Sequence, residues 1–263
     1  MNRVAVHQSV LSSSDPVAAV AAARSAGVDS VGFHVASVAS VEALWEKGAG
    51  SELLAALVDA LLVSRVTVLD VGRLDLALLG DPTDVGGPQY RVLDLGSRLG
   101  CQFVTVRAAE GGVEENRTRF AQLADAAARR GVRPLLVPTP GTAAGGVREA
   151  AQIVRGTRGG LVLDVRPSCA DPEEVGALIA ELGDALGYIR VAAQELDVDM
   201  GPATCLLATL PPQIPLVIGS PATGAGDAAA PVDDVEFLTR CRAGLDRLLI
   251  HPRALAAERE PRT

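Results

Sequence analysis

The chain has 263 residues, 48% of them apolar and 21% charged. That is enough to build a sizeable core, and α/β barrels use about 250 residues in one domain. Its 24 basic residues against 32 acidic ones give a net charge of −8, and only 3% of residues are aromatic. This disfavours nucleic acid, whose phosphates call for a basic face and whose bases call for stacking platforms.

Four cysteines (Cys101, Cys169, Cys205 and Cys241) are widely spaced, with no CxxC pair. This fits a reducing cytosol better than a disulfide scaffold. The opening MNRVAVHQSV lacks the apolar stretch of a signal peptide. No apolar run reaches the roughly 18 to 20 residues of a membrane span. A cytoplasmic protein is therefore expected. Lys47 is the only lysine, and its polar surroundings (WEKGAG) offer no apolar pocket to lower its pKa. Schiff-base chemistry is accordingly disfavoured.

In chain order, VAVHQ (4–8) is the first short β-branched run. Asp15-Pro16 then opens a helix: Asp caps free N–H groups and Pro suits the first turn. Gly27 closes it before SVGFHV (30–35). Ser51 opens the helical SELLAALVDALL, followed by the strand RVTVLDV (65–71). A helix over Arg91–Leu99 stops at Gly100, ahead of QFVTVR (102–107). Another over Glu114–Arg130 stops at Gly131, ahead of RPLLVP (133–138). GLVLDV (160–165) precedes Asp171-Pro-Glu-Glu174, which resembles a capping box for a helix to about Leu182. YIRVAA (188–193), IPLVIG (214–219) and a helix over Val232–Leu249 complete the series.

The eight strand runs are nearly continuously apolar, as in parallel strands buried on both faces. Their mean spacing of about 30 residues is that of one βα unit. Four junctions (SAGVDSVGF, RLGCQFVTV, RRGVRPLLV and ALGYIRV) place a glycine between helix end and strand start. The expected fold is a single (β/α)8 TIM barrel over residues 1–257, with a frayed tail over 258–263. A doubly wound open sheet is the alternative, but no GxGxxG follows the first strand. The stretch 219–234 (GSPATGAGDAAAPVDD) reads as a long loop. Its Gly224-Ala-Gly226 element is a candidate anion nest but reads better as flexible chain.

Barrel chemistry sits at the C-terminal strand ends. Those ends offer His7 and Gln8, His34, Asp70 and Arg73, Arg107 and Glu110, Asp164 and Arg166, and Gln194 and Glu195. Strands five and eight end without charge, in Pro138-Thr139-Pro140-Gly141-Thr142 and Gly219-Ser220. His7 and His34 are general-base candidates, since histidine titrates near 6.5, or are simply hydrogen-bonded core residues. Asp70 and Asp164 would be desolvated unless partnered. Arg73, Arg107 or a histidine could partner Asp70. Arg107 and Arg166 could clamp an anion in paired hydrogen bonds or balance Asp70 and Asp164. One of Gln194 and Glu195 should face the mouth. Cys101 lies at the expected barrel bottom and Cys169 on the expected active face. Trp45 and Phe33 line the rim or pack, and His251 is expected at the surface.

The segments RLGCQFVTVRA (98–108), ARRGVRPLLVPTPGT (128–142) and GLVLDVRPSCADPEEV (160–175), with AAARSAGVDSVGFHV (21–35), resemble the xylose isomerase-like barrel superfamily, in particular its sugar phosphate isomerase/epimerase branch. The likeness spans residues 4 to 250. It implies a divalent metal held by two glutamates, an aspartate and a histidine or glutamine from strands five to eight, and proton transfer next to a carbonyl. Carried over position by position, the strand-six aspartate is matched by Asp164. The strand-five glutamate falls at Val137 and the strand-eight glutamate near Gly219. The strand-seven ligand falls near Ala192 or Ala193, with Gln194 as nearest substitute, and the histidine that often follows the aspartate falls near Pro167. The metal site is thus expected to be degenerate, with no cofactor; a relocated Mn, Mg, Zn or Co site is the less favoured reading.

The resemblance implies an isomerase or epimerase acting by proton transfer on a small polyhydroxylated or keto substrate. Asp164, Glu195, His34 and Asp70 are its expected catalytic residues. His7, Arg107, Arg166 and Gln194 are its expected substrate-binding residues. A lyase on the same scaffold and a non-catalytic ligand- or partner-binding homologue are the alternatives. No nucleic-acid or membrane partner is expected, and the exposed helix ELLAALVDALL is a candidate homodimer face.

Overall fold

A computed structural model describes residues 2–34, 49–79, 87–196, 207–208, 210–220 and 233–249. Trp45, Lys47, Cys205, Gly224, Gly226, His251, most of the 219–234 loop and the 258–263 tail lie outside the described residues. Strands and helices alternate as β1 (Val4–His7), α1 (Pro16–Ser25), β2 (Ser30–His34), α2 (Ala49–Ser64), β3 (Thr67–Asp75), α3 (Pro88–Arg98), β4 (Phe103–Arg107), α4 (Val113–Ala128), β5 (Arg133–Val137), α5 (Val147–Val154), β6 (Gly160–Val165), α6 (Pro172–Leu182), β7 (Leu186–Ala192), α7 (Ala193–Leu196), β8 (Leu216–Gly219) and α8 (Asp234–Leu249). The strands are parallel and follow chain order, and β8 pairs back onto β1 through Ala5 and Val217. The sheet is therefore a closed eight-stranded (β/α)8 barrel rather than an open one.

Local chemistry fixes the helix ends. The Asp15 carboxylate accepts from the Val17 N–H at 2.9 Å. Asp171 accepts from the Glu173 and Glu174 N–H groups at 2.8 and 3.2 Å. Gly27, Gly100 and Gly131 follow helices at φ of 68°, 63° and 72°, left-handed caps that a side chain would resist. The fourth expected cap is corrected: Gly187 lies within β7, against the Leu135 side chain, and Gly183 at φ 49° closes α6. Two further differences concern extent. β3 runs on to Asp75, so Arg73 belongs to the strand. α5 escapes the sequence reading because Gly145-Gly146 precede it and it has eight residues, yet it buries Ala150, Ile153 and Val154.

Two apolar clusters divide the core. The larger fills the space between sheet and helices. The smaller draws Ala5, Leu69, Phe103, Leu135, Val137, Val162, Tyr188 and Val217 from seven strands and no helix, so it is the barrel interior. Each such buried aliphatic or aromatic side chain contributes about 1.5–3 kcal/mol. Side chains alternate along a strand, so the residues two places further on also point inward, one layer nearer the mouth. On β1, β4, β6, β7 and β8 they are His7, Thr105, Asp164, Arg190 and Gly219; on β5 the position is Val137, itself in the apolar cluster, and on β3 the irregularity opposite Val31/Gly32 leaves Val71 in the outer cluster and Asp70 turned inward. The filled apolar layer is thus the floor on which a polar layer rests. On the outside, α2 leaves Leu62 and Val63 exposed. Among the described residues no helix is long and apolar enough to cross a membrane.

Candidate active site

Asp164 and Arg190 form the centre of the polar layer. They are direct cross-strand partners on β6 and β7. The guanidinium grips the carboxylate in a fork, Nε to Oδ1 at 2.6 Å and NH2 to Oδ2 at 2.8 Å. Their side chains are 13% and 10% exposed, so the pair is nearly buried but touches the mouth. Burial pulls the Arg190 pKa down, and the Asp164 hydrogen bonds and charge more than offset this, leaving it above the ordinary guanidinium value. Gly219 makes room for this arrangement. A Cβ there would stand 2.9 Å from Arg190 Cδ and 3.0 Å from Cγ, closer than packed carbons tolerate.

His7 and His34 close one side. Their rings meet edge-on with centroids 6.1 Å apart. His7 is buried, and its Nδ1 lies 2.7 Å from the Ser9 hydroxyl. Burial first, then Arg190 and His34, push its pKa down to about 3. His34, more exposed at the rim, is lowered by partial burial and by Arg73. A neutral imidazole is the form both favour near pH 7.

Asp70 lies beneath them, fully buried. The Tyr188 hydroxyl donates to its Oδ2 at 2.9 Å, and its Oδ1 has no partner among the described residues. Burial pushes the carboxyl up to about 6, against the opposing pull of Tyr188 and Arg190. The same burial, then Asp70, raises the Tyr188 pKa. The expected partners for Asp70 are thereby corrected: Tyr188, across the barrel, holds it, not Arg73, Arg107 or a histidine.

The other arginines are engaged elsewhere than the sequence suggests. Arg107 NH1 lies 3.4 Å from Asp75 Oδ2, while its Nε is buried without a partner among the described residues. Arg166 Nε bonds Glu195 Oε1 at 2.9 Å, and the Ser168 N–H bonds Oε2 at 2.8 Å. Burial alone would raise the Glu195 pKa, but the Ser168 N–H and Arg166 outweigh it and leave it lowered. Neither arginine therefore balances Asp70 or Asp164. Gln194 and Glu195 lie on α7 rather than on a strand, and Gln194 is exposed, as is Glu110. Cys101 is buried at the start of β4, its thiol pushed up to about 12 chiefly by burial. Cys169 is exposed beside Ser168, Oγ to Sγ 3.3 Å. Phe33 is buried.

The sequence reading missed Arg190 and Tyr188. A signal for the first was present. An arginine between Ile189 and Val191 in a buried strand demands a carboxylate, and Asp164 is the inward one on the preceding strand. Tyr188 had no comparable signal, since its partner is 118 residues away.

No protein-family profile matches the chain, and no curated protein matches it in sequence. Solved structures do match its fold. A D-allulose 3-epimerase from Methylomonas sp. superposes with a TM-score of 0.63 at 15% identity, over 94% of this chain and 98% of that one. A xylose isomerase domain-containing protein from Salmonella typhimurium gives 0.64 at 12% identity, over 95% and 98%. A 3-keto-D-glucoside 4-epimerase from E. coli gives 0.64 at 13% identity, over 92% and 100%. The chain therefore has the fold of the xylose isomerase-like TIM barrels, the scaffold of these sugar epimerases.

Proposed function

We propose that this barrel is an isomerase- or epimerase-like enzyme that moves a proton next to the carbonyl of a small polyhydroxylated or keto substrate, without a divalent metal. The observation that carries the reading is the Asp164–Arg190 pair at the mouth, flanked by two neutral-leaning imidazoles and an incompletely satisfied Asp70. Such a set supplies what the reaction needs: a fixed positive charge for the developing oxyanion and a group that exchanges a proton near neutral pH. Arg190 would hold the oxygen, while His34, neutral and at the rim, would take and return the proton. Arg107, whose side chain is partly exposed beside Asp75, would orient the remote end of an anionic substrate.

The donor set does not fit the metal implied by the resemblance. A divalent cation asks for several oxygen or nitrogen ligands, commonly more than one carboxylate. Val137 and Gly219 offer no donor side chain, and both Asp164 oxygens accept from Arg190. Among the described residues no group of three histidines, cysteines or carboxylates is placed to hold an ion. The guanidinium takes over the cation's electrostatic part in this reading.

The pairing of Asp164 with Arg190 and of Glu195 with Arg166 also favours a second reading, a barrel that binds a ligand without turning it over. One experiment separates the two. The purified protein is incubated in D2O with EDTA and a panel of ketoses, their phosphates and 2-keto sugar acids, and proton NMR follows each C–H next to the carbonyl. Exchange that survives EDTA and is lost in Arg190→Met is the expected result. No exchange with any compound, or exchange that appears only on adding metal, refutes the proposal.

A further inference from the structure

Nδ1 of His7 is engaged twice by the same residue. The Ser9 backbone N–H donates to it at 3.3 Å, and the Ser9 hydroxyl lies 2.7 Å away. A ring nitrogen that accepts an N–H carries no proton of its own. A neutral His7 must then carry its proton on Nε2. Because both contacts grip one nitrogen, they fix the ring's orientation as well as its tautomer. Nε2 has no hydrogen-bond partner among the described residues, nor is it among the buried atoms sealed from solvent. Among the described residues, the charged and titratable groups that face the ring are Arg190, His34 and Asp70, with Arg73 beyond His34. A positive neighbour and burial both oppose the imidazolium.

We propose that His7 is a further catalytic residue, a neutral imidazole whose Nε2–H donates to the substrate's carbonyl oxygen as that oxygen gains negative charge. This rests on the proton-transfer reading above and narrows its substrates to α-hydroxy carbonyl compounds, whose enediolate presents two adjacent oxygens, one to His7 and one to Arg190. The base removes the proton from the carbon beside the carbonyl. The C–H electron pair becomes the carbon–carbon double bond, and the carbonyl π pair moves onto oxygen. The Nε2–H holds that oxygen without surrendering its proton, the proton of the adjacent hydroxyl passes to it within the enediol, and the base delivers its own proton to the former carbonyl carbon as the carbonyl re-forms on the neighbouring carbon. A neutral donor suits this step, because its pKa lies nearer to that of the enediol than an imidazolium's does.

The test begins with the ring itself. The chain has three histidines, so long-range proton–nitrogen NMR on 15N-labelled protein, with His7→Gln and His34→Gln as assignments, resolves each one. Between pH 5 and 8, His7 is expected to keep its proton on Nε2 with no titration. Oxalate, a planar mimic of the enediolate, should shift the Nε2–H resonance. By calorimetry His7→Phe should bind oxalate about tenfold more weakly, the loss of one good hydrogen bond, and His7→Gln, which retains an N–H donor, should lose less. A proton on Nδ1, titration within that range, oxalate bound at full strength by His7→Phe, or no oxalate binding by the wild-type protein overturns the proposal. If these results hold but no substrate exchanges its proton, the enzyme reading fails on its own.

Discussion

Replacing Asp70 by Asn should stabilise the protein at pH 8 and leave it unchanged, relative to that gain, at pH 4. The folded-state pKa of Asp70 is about 6 against an ordinary 3.8, with burial as the chief cause. A raised carboxyl favours folding fully below 3.8, and that contribution is lost as pH rises through about 6. At about 1.4 kcal/mol per unit, the loss is about 3 kcal/mol. His7 works in the opposite sense. Its pKa falls from 6.5 to about 3 through burial, then Arg190 and His34. Its contribution is present above 6.5 and is lost as pH falls towards 3, to the extent of about 5 kcal/mol. The two nearly cancel in the wild-type profile between pH 4 and 6, so only a difference measurement isolates either one. Asn keeps an acceptor for the Tyr188 hydroxyl and removes the charge whose second oxygen is unpartnered. The gain at pH 8 relative to pH 4 corresponds to about 6–12 °C in Tm. Thermal melts of both proteins at unit pH steps measure it. A difference that stays flat from pH 4 to 8 would show that Asp70 is ionised and solvated in the fold, and the argument from burial would be wrong.

Arg190→Met strips both fork bonds from a nearly buried carboxylate and should cost about 3–5 kcal/mol, most of it recovered when Asp164→Leu is added, as chemical denaturation would show. Gly219→Ala places a Cβ 2.9 Å from Arg190 Cδ. It should cost about 1–3 kcal/mol in the wild type and much less in the Arg190→Met background, a coupling that a double-mutant cycle reads directly. In native protein, a thiol reagent should modify Cys169 rapidly and leave the buried Cys101 and Cys241 untouched until unfolding, with mass mapping to identify each site.

The barrel was legible because its strands must be apolar on both faces. Runs such as GLVLDV and IPLVIG cannot be half-exposed strands, and their spacing leaves room for one helix each. The boundary of β3 was not legible, since Gly72 and Arg73 look like a turn and only pairing with β4 carries the strand to Asp75. At the site, single strand-end residues could be named, but their partners could not. Asp164 meets Arg190 through register, and Asp70 meets Tyr188 across the barrel. Both pairings depend on how far each strand is displaced along its neighbour, including the irregularities at Val31/Gly32 and Leu161/Val162. A strand apolar on both faces has no alternating pattern to mark that displacement, so its register is not legible from hydrophobicity.

The distribution of cost within the barrel bears on whether the mouth has a use. A buried ion pair is weak support for stability, because well-packed apolar residues of similar volume often do as well or better. The lower layer follows that rule, with Leu69, Phe103, Leu135, Val162 and Val217 packed together. Around and above that layer the rule is broken repeatedly. Asp164 and Arg190 are desolvated, Asp70 buries an oxygen with no partner, Arg107 buries an unpartnered Nε, and His7 is held where it cannot take up a proton near neutrality. The buried ion pair and the two unpartnered atoms oppose folding, and all of these groups but the mid-strand Asp70 lie towards the C-terminal ends of the strands, where barrels of this kind do their chemistry. A barrel selected only to fold would have filled that layer as it filled the one below. Polar groups concentrated there at the expense of stability are what a ligand-engaging site requires, and this favours an occupied, working mouth over a silent scaffold.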